Sequence, residues 1–81
     1  MDRETKMYSN LDVPEKKTIK EILTLVYESL DDRGYNAIDQ MVGYILSGDP
    51  SYITSHNNAR NIIGQVERDD LLEELIKSYL K

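Results

Sequence analysis

The 81-residue chain predicts an all-α fold, a compact small bundle of four main helices with one short helical turn. Three observations lead there. Apolar residues recur at three- and four-residue spacing in four separate blocks, the period of a helix with one buried face. Glycine and proline fall between those blocks, where helices stop. No stretch alternates apolar and polar residues as a half-buried strand would. Connections are short, and no internal repeat is present.

Residues 1–11 read as a flexible N-terminal tail, and 12–81 as the helical domain. The tail mixes charged and small polar residues without periodicity, and a terminus that nothing ties down is mobile and accessible. In the first helix, Asp12 is the expected cap, Pro14 suits the first turn, and Glu15 has the spacing of a capping box. Ile19, Ile22, Leu23, Val26 and Leu30 form its apolar face, flanked by Tyr27, with Lys16, Lys17, Lys20 and Glu21 on the wet side. Asp31-Asp32-Arg33-Gly34 ends it, Gly34 taking the left-handed position.

Asn36 is the expected cap of the second helix. Its apolar face is Ile38, Met41, Val42, Ile45 and Leu46, and Gly43 permits close helix approach. Ser47-Gly48-Asp49-Pro50 stops it, and Pro50 to Ile53 forms the short helical turn. The next helix is expected to start at Ser55 or Asn57 and to pack through Ala59, Ile62, Ile63 and Val66. Gly64 weakens it by roughly 1 kcal/mol relative to Ala, so tertiary contacts must hold it. The last begins near Asp69 or Asp70, with Asp70 and Glu73 at capping-box spacing. Leu72, Leu75, Ile76, Tyr79 and Leu80 are its expected inner face, with Leu71 beside them, and Lys77 and Lys81 suit its C-terminal end.

Composition narrows function by exclusion. There is no Cys, so no disulfide framework, thiolate nucleophile or thiolate metal site exists. A net charge of −5 opposes non-specific binding to nucleic acid or to an anionic membrane. A helix-turn-helix reading of residues 38–66 would offer Arg60 as its main cation, too little for DNA. No apolar run approaches the length of a membrane span or a signal-peptide core, and the expected location is the cytoplasm. With no Trp and no Phe, the core rests on aliphatic residues and six Tyr. A domain this small is marginally stable alone, which favours self-association.

No catalytic constellation emerges, and the chain is not expected to be an enzyme. His56, the lone histidine, lacks metal partners at ligand spacing and a nucleophile–orienter context, and reads as a turn or surface residue. Asp69, Asp70, Glu73 and Glu74 read as capping and solvation of one helix start. Gly43 and Gly48 lack the lysine–hydroxyl ending of a phosphate loop. No cofactor and no metal is expected. Tyr35, Tyr44 and Tyr52 suit either a protein interface or the monomer core. Arg60 and Arg68 clamp an acidic loop at Asp49, bind a phosphorylated tail through bidentate contacts, or make ordinary ion pairs, the last being favoured. Tyr35, Tyr44, Asp49, Tyr52, Arg60 and Arg68 together make the candidate interaction surface. Thr5 and Ser9 are tail hydroxyls, and a phosphate on either would add about −1.5 to −2 charge.

The order of residues adds more than their periodicity. Gly34-Tyr35-Asn36, the block Gln40-Met41-Val42-Gly43-Tyr44-Ile45-Leu46-Ser47-Gly48-Asp49-Pro50-Ser51-Tyr52-Ile53, and then Asn58-Ala59-Arg60-Asn61, Glu67-Arg68-Asp69 and Glu73 to Leu80 resemble the signature of the IreB-like family of small bacterial regulatory phosphoproteins. The resemblance runs from about Leu11 to Lys81. It implies a compact helical homodimer without enzymatic activity. It also implies phosphorylation on a tail threonine by a membrane-bound Ser/Thr kinase with an opposing phosphatase, in signalling of cell-wall stress and antibiotic response through an unknown downstream protein. Glu4-Thr5-Lys6-Met7-Tyr8 matches the tail motif and nominates Thr5 as the phosphorylation site. The chain departs from the family pattern in four places. Lys6-Met7 reverses the usual basic and apolar order, Asp2 stands near where some members have a second threonine, Ala37 replaces a proline, and Gly64-Gln65-Val66 replaces a more basic stretch. A constitutive adaptor that binds through Tyr35, Tyr44 and Tyr52, independent of phosphorylation, is the alternative reading.

Overall fold

Thr18 opens the first helix. The computed structural model describes residues 17–81, and in it Lys17 and Thr18 are not helical; α1 spans Ile19–Asp32. Thr18 Oγ1 accepts the Glu21 N–H at 3.1 Å, and Glu21 Oε1 accepts the Thr18 N–H at 2.8 Å, a complete capping box. The reciprocal bond holds the Glu21 carboxyl below its ordinary value, the Thr18 main-chain N–H being the largest cause. The Thr-x-x-Glu spelling at 18–21 therefore defines this helix start. The expected cap at Asp12, with Pro14, Glu15 and Lys16, lies outside the described residues.

The far end of α1 follows the expectation. Gly34 is left-handed at φ +83°, its N–H donates to the Asp31 carbonyl, and the Tyr35 N–H donates to the Leu30 carbonyl. This is a Schellman closure, which satisfies carbonyls that a helix end leaves without partners. α2 spans Ala37–Ser47, with Asn36 Oδ1 accepting the Asp39 N–H as the cap the sequence predicts. Gly48, at φ +75°, closes it with its N–H on the Tyr44 carbonyl. The short turn at Pro50–Tyr52 is a 3-10 helix, capped by Asp49.

The third region departs from its expected cap. Neither Ser55 nor Asn57 caps through its side chain. A 3-10 turn at His56–Asn58 leads directly into α3, Ala59–Ile63. Asn57 and Asn58 are both left-handed, at φ 56° and 63°, a conformation that Asn tolerates better than most residues. Thr54 Oγ1 takes the His56 N–H in place of a cap. α3 ends at Ile63, and Gly64 follows it as the C-terminal cap rather than weakening its interior. α4 spans Arg68–Leu80, so Asp69 and Asp70 lie inside its first turn. Its cap residue Glu67 makes no side-chain bond, and the Asp70–Glu73 capping box does not form.

α1 is the hub, packing against α2, α3, α4 and the His56–Asn58 turn. Ile22, Val26 and Leu30 of α1 meet Ala37 and Tyr44 of α2, Ile53, Ala59 and Ile63, and Leu71 of α4 in one buried core. Ile19, Leu23, Met41, Ile45, Ile62 and Val66 pack around it, half-buried. Ser29 is the one buried polar side chain among the described residues. Its hydroxyl accepts from Asn57 Nδ2 at 3.3 Å, which ties the double left-handed turn to α1. Each of these groups is thereby satisfied.

Two predicted apolar faces are only partly inner faces. On α2, Ile38, Val42 and Leu46 are exposed, and the buried side chains are Ala37 and Tyr44. On α4 the expected inner face points outward. Leu71 is fully buried, whereas Leu72, Leu75, Ile76, Tyr79 and Leu80 are exposed, Tyr79 at 87%. Tyr27, expected beside the α1 face, is exposed as well. The reason is geometric. α1 meets only one narrow stripe of α4, so Leu71 fills the contact and the wider apolar stripe is left exposed among the described residues.

Candidate functional site

The Gly43–Ile53 segment answers the question its tyrosines posed. Tyr44 is 7% exposed and belongs to the core. Tyr52 lays its ring against Gly43, where a Cβ would collide with the ring carbons. The glycine therefore admits a tyrosine ring rather than another helix. The Tyr52 carbonyl accepts from Gln40 Nε2 at 3.0 Å, which fixes the turn against α2. Tyr35 is half-exposed beyond the end of α1. The three tyrosines do not make one open aromatic patch.

The two arginines serve main-chain carbonyls. Arg68 Nη1 donates to the Ile45 carbonyl at 3.0 Å, and its guanidinium lies on Gly48, where a Cβ would sit 2.8 Å from Cζ. A cation from the start of α4 thus closes the C-terminal end of α2, where the helix dipole favours positive charge. Arg60 Nε donates to the Ile53 carbonyl at 2.9 Å. Neither arginine makes an ion pair within 4 Å among the described residues. Asp49 is held chiefly by its own turn: its Oδ1 accepts the Ser51 N–H at 2.9 Å. That bond, with the Ser51 side chain, holds the carboxyl below its ordinary value. The Arg60 charge adds a smaller effect in the same direction.

Arg60 also lines an open cleft of about 390 Å³ between the Pro50 turn and α3, together with Ser55, Asn58, Asn61 and Gln65. The cleft is a feature that sequence reasoning missed. Its residues come from the Asn-rich turn and both sides of Gly64, and no spacing rule joins them. A second, shallower depression on α4 is apolar, with Leu72 and Ile76 between Asp69, Glu73 and Lys77. Lys77 pairs with Glu73 at 3.2 Å, one helical turn away. His56 Nε2 stands 3.7 Å from Asp32 Oδ2 at the end of α1, a turn-and-surface position as expected. No group of three metal-ligating side chains occurs among the described residues. No helix among them is long and apolar enough to cross a membrane. Thr5 and Ser9 lie outside the described residues.

Three helices around α1, with one carboxylate-capped turn and two carbonyl-bound arginines, leave the class of protein open. Comparison with family models decides it: the model described as IreB regulatory phosphoprotein matches residues 3–81. The chain belongs to the IreB family of regulatory phosphoproteins. The match takes in both the folded region and the segment that holds Thr5. As an IreB family member the chain is a regulatory protein and not an enzyme, in keeping with a sequence that holds no catalytic motif.

Proposed function

We propose that the chain is a cytoplasmic homodimer phosphorylated at Thr5 by a membrane-bound Ser/Thr kinase, reversed by an opposing phosphatase. In this reading the phosphate controls binding to a downstream protein in cell-wall stress and antibiotic-response signalling. The observation that carries it is the family match, which extends through Thr5. Support for the dimer comes from the apolar side chains that one chain leaves uncovered: Ile38, Val42 and Leu46 on α2, and Leu72, Leu75, Ile76, Tyr79 and Leu80 on α4. α2 and α4 touch each other, so both stripes belong to neighbouring helices. Exposed apolar surface of that kind marks association. The adaptor reading has less to stand on, since Tyr44 is buried, although Tyr35 and one side of Tyr52 are exposed.

Incubation of the full chain with the cognate kinase, followed by peptide mass spectrometry, tests the modification. Phosphate on Thr5 is the expected result, and its absence there rejects the site. Sedimentation tests the dimer independently. Leu46→Glu and Ile76→Glu should each shift the chain to monomer at tens of micromolar, and a wild-type monomer at that concentration rejects the dimer.

A further inference from the structure

The cleft beside Arg60 stands apart from the rest of this acidic chain. Its lining includes one arginine, a hydroxyl and three carboxamides, and no carboxylate. The side chains of Ser55, Asn58, Asn61 and Gln65 make no hydrogen bond to another of the described residues. Arg60 is different. Its Nε is fixed on the Ile53 carbonyl at 2.9 Å, which orients the guanidinium and leaves its Nη donors for a ligand. A pre-oriented fork with amide donors around it is suited to a tetrahedral oxyanion, because bidentate Arg–phosphate contact is stronger and more directional than a point charge. The cleft is open to solvent, and its volume of about 390 Å³ is enough to admit a phosphate group.

We propose that this cleft receives the phosphate of Thr5 from the chain's own N-terminal segment. The inference rests on the reading that Thr5 is phosphorylated. Chain length permits it. Twelve residues separate Thr5 from Lys17, a reach of about 40 Å when extended, whereas the 14 residues of α1 rise only about 21 Å. Because α3 and the His56–Asn58 turn pack on α1, the cleft lies within that reach. Charge makes the docking conditional. Without phosphate, the carboxylates nearest Thr5, Asp2 and Glu4, are offset by Arg3 and Lys6, and Asp12 is the one other acidic residue of 1–12. A phosphate adds about −1.5 to −2 charge and three strong acceptors. Asp49, whose carboxylate feels the Arg60 charge, opposes entry and sets a threshold.

The test uses the full chain and a synthetic peptide of residues 1–12 carrying phosphothreonine at position 5, with its unphosphorylated twin, measured by fluorescence anisotropy at low and physiological salt. The phosphopeptide should bind at least tenfold more tightly than its twin, and should shift the side-chain amide resonances of Asn58, Asn61 and Gln65. Arg60→Lys, which keeps the charge and loses the fork, should weaken binding about tenfold. Gln65→Glu, on the exposed rim where folding is not at stake, should do the same, and Asp49→Asn should tighten it two- to threefold. Equal binding of the two peptides, or Gln65→Glu without effect, overturns the proposal. No kinase enters this experiment, so its failure removes the cleft while leaving Thr5 phosphorylation to the kinase reaction. Conversely, an unmodified Thr5 in the kinase reaction leaves the measured affinity of the cleft intact.

Discussion

Replacing Gly48 by alanine probes the joint between α2 and α4. The position is left-handed at φ +75°, which costs an L residue about 1–2 kcal/mol. The added Cβ would also lie 2.8 Å from Cζ and 2.9 Å from Nη2 of Arg68, so the guanidinium has to leave. Leaving breaks its 3.0 Å bond to the Ile45 carbonyl. A charged hydrogen bond is worth about 1.5–3 kcal/mol, but this one is exposed, and about 1 kcal/mol is the discounted figure. Gly48→Ala should therefore lose about 2–3 kcal/mol. In an Arg68→Ala background the guanidinium is already gone, and Gly48→Ala should then cost only its backbone share of about 1–2 kcal/mol. The coupling between the two sites is thus about 1 kcal/mol. Urea unfolding followed by circular dichroism, with all four proteins at one matched concentration, measures it. A Gly48→Ala cost below about 0.5 kcal/mol refutes the backbone argument. Strict additivity of the two substitutions refutes the Arg68 latch.

Three further expectations follow from the same geometry. Leu71→Ala should destabilise by about 2–4 kcal/mol because the side chain is fully buried. Leu72→Ala next to it should act mainly on sedimentation, and urea unfolding of both variants separates the two effects. Asn57→Ala should cost about 2–3 kcal/mol through left-handed strain and the orphaned Ser29 hydroxyl, while Asn57→Gly should cost less, as paired melting curves will show. Finally, both Glu21 and Asp49 have folded-state values below those of the unfolded chain. Their contribution is present above the ordinary carboxylate range and is lost as pH falls through the lowered folded values. Unfolding titrations from neutral pH into acid should show stability falling below about pH 4. Thr18→Pro and Ser51→Pro, which remove the two main-chain N–H donors, should flatten that fall.

Sequence reading reached the elements that local chemistry dictates. Gly34, Asn36, Gly48 and Pro50 mark their boundaries correctly, since a left-handed glycine, a capping amide and a proline each act within a few residues. Elements set by distant partners were less legible. Periodicity identified the apolar residues of α4 but not their direction, because Leu71 and Leu72 look alike until α1 supplies a neighbour on one side only. The same limit hid Ser29, whose burial depends on an Asn 28 residues away. Tyr52 and Gly43 are nine residues apart, and their contact follows from the reversal of the chain at Asp49-Pro50, which no spacing rule encodes. The arginines show a related limit: their bonds to the Ile45 and Ile53 main-chain carbonyls depend on how the chain folds back, which charge spacing does not encode. Residue order, in contrast, carried the family, and the match over residues 3–81 agrees with it.

The capping box at Thr18 has a consequence for how a modification at the N-terminal segment can act. With Thr18 extended at ψ 162°, α1 has a capped lower end, where Thr18 and Glu21 satisfy each other's main-chain N–H. A charge placed at Thr5 cannot be transmitted by lengthening or rotating α1 as a rod, because the helical hydrogen-bond ladder is interrupted before it. Its influence must travel through space, as a contact made or refused on the folded body or on a partner. In the proposed function, the choice of contact made by residues 1–12 then carries the signal, and the helical body is the surface against which it is made.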